Sequence, residues 1–147
     1  MVGEGNPISL EAVRRAGTHI PTQDRWEWMD LVGNREFSKA LKGLPVLFSQ
    51  GESGVFLTMG LATHLLLLGL VRSGGKGALE QALPYHQKWL APRLARQADR
   101  WSVSDLQHAL KGLKRVDRVL KSSSIPEDHV LEEWLLGLVV DERGETA

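Results

Sequence analysis

The sequence predicts an all-α fold, a bundle of about six to seven helices, and three observations predict it. Apolar residues recur at three- and four-residue steps through most segments, the spacing that lines them along one side of a helix. No segment sustains the period-two alternation with β-branched residues that a strand requires. Serine, aspartate, glycine and proline fall between the periodic segments and leave only short connections.

Bulk composition bounds the function classes. A chain of 147 residues is long enough for one domain with a real core, burying roughly 70% of its unfolded surface. Eighteen basic residues balance eighteen acidic ones, which excludes a chain that is basic throughout but not a local basic patch. There is no cysteine, hence no disulfide framework, thiolate zinc site or cysteine nucleophile, and this fits a cytoplasmic protein. The first residues, Met1 to Pro7, lack the basic start and apolar centre of a signal peptide and read as a flexible lead-in.

The elements follow in order. Ser9, Glu11 and the pair Ile8 and Val13 mark a short helix that Gly17 ends. Thr22 or Asp24 opens a second with Trp26, Trp28, Met29, Leu31 and Val32, stopped at Gly33. Trp26 and Trp28 are two apart and cannot both face inward, so one of them marks an interface. Asn34 caps a third helix with Phe37, Ala40, Leu41, Leu44 and Phe48 on one face, and Pro45 predicts a kink or a break near Gly43. Val55 to Val71 is the most apolar run and approaches the length of a membrane span. Two glycines, two threonines, His64 and amphipathic helices on either side favour the centre of a bundle, apolar all round. Gly74 to Gly77 reads as a loop. It lacks the pattern and the preceding strand of a phosphate-binding loop.

After Pro84, Tyr85, Trp89, Leu90, Leu94 and Ala98 define the next helix, with Pro92 as a potential kink. Ser102 then caps a helix whose Leu106, Ala109, Leu110, Leu113, Val116 and Leu120 share a side. Ser122 to Ser124 is a linker. Ser124 and Glu127 form a capping box around Pro126 for a last helix with Val130, Leu131, Trp134, Leu135 and Leu138, and a polar tail follows from Asp141.

Candidate chemistry is sparse. None of the five histidines has a second histidine at helical spacing with a carboxylate beside it, and His64 reads as a packed, hydrogen-bonded core residue. Glu132 and Glu133 point to different faces and make no acid–base couple. There is no nucleophile elbow, no cofactor motif, and no catalytic constellation of any kind. What stands out is charge. Arg93, Arg96, Arg100, Lys111, Lys114, Arg115 and Arg118 cluster with Lys88 and Lys121 against only Asp99, Asp105 and Asp117, while the chain beyond Glu127 is acidic. A solvated face with internal pairs such as Asp117–Lys121 is the simplest account. Subunit contact, or contact with DNA, by those seven residues is the functional one.

These residues also carry a resemblance. Ala98-Asp99-Arg100-Trp101-Ser102, followed by Leu106, Leu110, Leu113 and then Asp117-Arg118-Val119-Leu120-Lys121, is similar to the C-terminal part of the delta subunit of bacterial DNA polymerase III. Leu131 to Leu138 resembles that family's last helix, Arg35 to Gln50 its helix with an Ala-Leu core, and Val55 to Arg72 its central apolar helix. Ile8 to Val13 resembles the end of its lid domain. The segment from Pro84 to Arg100, interrupted by Pro92, fits less closely. The resemblance implies residues 1–20 as lead-in and lid remnant, residues 21–141 as a clamp-loader collar domain, and residues 142–147 as a tail. It implies a non-catalytic oligomerisation module of the polymerase holoenzyme, in DNA replication. Its partners would be the gamma/tau and delta-prime subunits, with DNA reached indirectly and no membrane. The alternative reading is a small helical DNA-binding or adaptor domain that uses the basic helix 103–121.

Overall fold

A computed structural model describes residues 22–146, with side chains through residue 142; the lead-in and the helix expected at Ile8–Val13 lie outside the described residues. The chain is all-α, with six helices and no strand among the described residues: α1 (Arg25–Gly33), α2 (Phe37–Ser49), α3 (Gly54–Ala82), α4 (Ala91–Ala98), α5 (Val103–Ser122) and α6 (Glu127–Thr146). A 3-10 segment, Tyr85–Leu90, joins α3 to α4.

Helix starts follow capping chemistry. The Asp24 carboxylate accepts from the amides of Trp26 (2.8 Å) and Glu27 (3.0 Å). Ser53 accepts from Phe56 N at 3.2 Å and Ser102 from Asp105 N at 3.0 Å, each satisfying a donor that has no partner within its helix. The start of α6 differs from the expected capping box. Its first helical residue is Glu127, whose carboxylate reaches away and accepts from Gly54 N at 2.8 Å. One acidic side chain thereby sits on the positive end of α3.

The helix ends revise several expectations. α1 ends at Gly33 as its sequence suggests, yet that glycine does not supply the turn. Asn34 closes the helix rather than capping α2, whose N-cap position, Glu36, makes no side-chain cap bond. Arg35 takes the left-handed conformation (φ 62°), with Arg35 N donating to Val32 O and Glu36 N to Leu31 O. Together these bonds make the paired C-terminal motif that glycine usually closes. Gly51 (φ 90°) does the same for α2, with Gly51 N donating to Phe48 O and Glu52 N to Leu47 O. Pro45 does not break α2, which runs unbroken from Phe37 to Ser49 with Leu44 and Leu47 buried on either side of the proline.

The loop expected at Gly74–Gly77 is a single-residue break. Gly75 alone leaves helical geometry (φ 79°, ψ 178°) and the helix resumes to Ala82. Pro92 stands in the first turn of α4, where its missing N–H is harmless, rather than kinking a longer helix. Tyr85 and Trp89, expected to line a core-facing helix, are exposed on the 3-10 segment. The last helix also continues through the residues expected as a polar tail.

α3 is the element the others pack around. α4 and α5 lie along it, α1 and α6 touch it, and α2 packs against α1 and α6. One core joins Leu57, Leu61, Leu65 and Leu68 of α3 to Leu94 and Ala98 of α4 and to Leu106, Ala109, Leu113 and Val116 of α5. The Trp28 indole is fully buried and donates to Ala40 O at 2.8 Å, and Trp134 donates to Ala109 O at 3.1 Å. Each indole N–H is thus satisfied inside the apolar interior.

Candidate functional site

The run from Val55 to Val71 carries apolar residues all round, but the bundle covers only one side of it. Leu57, Leu61, Leu65 and Leu68 are fully buried against α4 and α5. Phe56, Met59 and Leu66 stay exposed at 52%, 60% and 60%, Thr63 is exposed among them, and Leu70 is partly so. Steps of three, four, three and four residues put these five on one line along the outer side of α3. Four members are apolar, and the one hydroxyl, on Thr63, stands at the midpoint. Over 14 residues that line runs for about 21 Å. Only 33% of the most apolar 18-residue window of α3 is buried, and among the described residues it is the one helix long and apolar enough to cross a membrane.

Trp26 extends the line at its N-terminal end. Its ring is 67% exposed, while Trp28 is buried, so the pair divides as its spacing requires. The Arg25 guanidinium lies 4.6 Å from the Phe56 ring and 5.9 Å from that of Trp26, and its charge is matched by Glu52 at 3.1 Å. The result is a largely apolar and aromatic surface with no net charge along it.

A polar relay holds α1, α3 and α4 in register beside this surface. Arg93 pairs with Asp30 at 2.9 Å, and the other oxygen of Asp30 accepts from Gln97 Nε2 at 2.8 Å. That contact fixes the Gln97 amide so that its Oε1 faces His64 Nε2 at 2.6 Å. The histidine therefore carries its proton on Nε2 and donates it. Burial lowers the His64 pKa from its ordinary value, against the opposing effects of the Gln97 hydrogen bond and the Asp30 charge. The unfolded chain then takes up the proton first, so stability is full above about pH 6.5 and falls as the pH drops through the lowered folded value. Between about pH 6.5 and 5 the wild type is expected to lose more melting temperature than His64→Gln. Parallel pH–melting curves would exclude this.

Arg35 anchors a second junction. Its guanidinium lies 4.6 Å from the buried Trp101 ring and pairs with Asp105 (3.1 Å) and Glu142 (3.2 Å). A left-handed non-glycine residue costs about 1–2 kcal/mol, and this set of partners offsets it. A cleft of about 520 Å³ beside it is lined by Trp101, Ser104, Asp105, His108, Leu138 and Asp141 among others, with His108 and Asp141 2.8 Å apart. Asp105, nearest the arginine in the cleft, is paired with it, while His108 and Asp141 pair with each other.

The seven basic residues differ in how they are engaged. Arg93 is tied to Asp30 and lies over the Trp89 ring, Arg100 donates to Asn34 O at 3.2 Å, and Arg115 pairs with Glu133 at 2.9 Å. Arg96 stands exposed on α4, while Lys111, Lys114 and Arg118 stand exposed on α5. These last four have no acidic partner among the described residues. No group of three histidine, aspartate or glutamate side chains suited to a metal ion occurs among the described residues. Sequence reasoning thus named the basic residues and missed the outer row of α3, whose three–four spacing was present but had no charged side to contrast with it.

No family model matches the chain, and no curated protein or solved structure is significantly similar to it.

Proposed function

We propose that this chain is a helix–helix association module, the collar-type domain of a delta-like clamp-loader subunit, which joins its neighbours in the complex that places the sliding clamp on DNA. It performs no catalysis of its own. The observation that carries the reading is the uncovered row of Phe56, Met59, Thr63, Leu66 and Leu70 on the helix at the centre of the bundle. A folded core already buries the other side of α3, so the outer side is free for a helix of a neighbouring subunit to pack against. The sequence resemblance around Trp101 and Asp117–Lys121 names which neighbours.

The full chain, mixed with the gamma/tau and delta-prime subunits, is expected to co-elute with them in size-exclusion chromatography. Leu66→Glu sets a charge in the middle of the row, at a side chain 60% exposed, and is expected to weaken that binding by about tenfold or more with little change in melting temperature. Absence of co-elution by the wild-type chain would count against the clamp-loader assignment.

A second reading, DNA contact through α5, rests on Lys111, Lys114 and Arg118. They recur at three- and four-residue steps on its exposed side without acidic partners among the described residues. Three phosphate contacts predict weak binding whose logarithm falls with log salt at a slope of about −3. Lys114→Glu is expected to flatten that slope. DNA binding that is insensitive to salt, or none at low salt, would remove this reading.

A further inference from the structure

We draw no further inference here: the strongest candidate, the exposed row of Phe56, Met59, Thr63, Leu66 and Leu70 along the outer side of α3, belongs to the face already described, and nothing in the structure shows what covers it.

Discussion

Trp101→Ala is expected to lower the unfolding free energy by about 3–5 kcal/mol, a large part of what holds a domain of this size together. The indole is buried, donates to Gly33 O at 2.9 Å and meets Phe37 edge-on with centroids 6.1 Å apart. It is also the floor under the Arg35 guanidinium. Removing it opens a cavity, leaves a buried carbonyl without its donor and strips the left-handed turn of the contact that offsets its strain. Trp101→Phe keeps most of the apolar bulk and is expected to lose only about 1–3 kcal/mol, the cost of the orphaned carbonyl. Urea denaturation with unchanged slope would measure both. An alanine variant that lost less than about 1 kcal/mol would show that the turn between α1 and α2 does not lean on this ring.

Gly33→Ala is expected to be the next most damaging substitution, against the usual rule. Alanine in a helix is favoured over glycine by about 1 kcal/mol, and Gly33 lies within α1. A Cβ there would sit 2.1 Å from Gln97 Oε1 and 2.7 Å from His64 Nε2. Gln97 is buried and held by Asp30, so it cannot swing aside. The expected outcome is a loss of about 1–3 kcal/mol, partly recovered in Gly33→Ala/Gln97→Ala, where the obstructing amide is gone. A stabilised single variant would mean that α1 and α4 can slide apart freely.

Where a segment has two unlike sides, its place in the fold is written in the sequence. Leu106, Ala109, Leu113 and Val116 are buried on α5 with Ser102 capping it, and Val130, Leu131, Trp134, Leu135 and Leu138 are buried on α6, as their spacing predicts. Where the two sides are alike, the pattern loses that power. Val55 to Val71 shows a helix but not which side of it is covered, because Leu61 and Leu66 look the same until a neighbour packs on one of them. Its two threonines give no better guide, since Thr58 is buried and Thr63 exposed. Turn chemistry misleads for a related reason. Gly33 reads as a turn-forming stop because glycine commonly is one, but its role is to let Gln97 approach. The left-handed residue is Arg35, chosen by partners 70 and 107 residues away. Tyr85 and Trp89 read as core by apolarity alone, and only the short 3-10 segment before Pro92 turns them outward.

The Glu127–Gly54 hydrogen bond spans 73 positions of sequence, and this has a consequence for the order of folding. The long central helix can wind early from local bonds, but its leading amide gains protection only when the last helix arrives. Deuterium exchange at Gly54 should therefore report docking of the chain's final segment. Glu127→Gln should quicken that exchange while leaving the amides around Leu61 and Leu65 as slow as before.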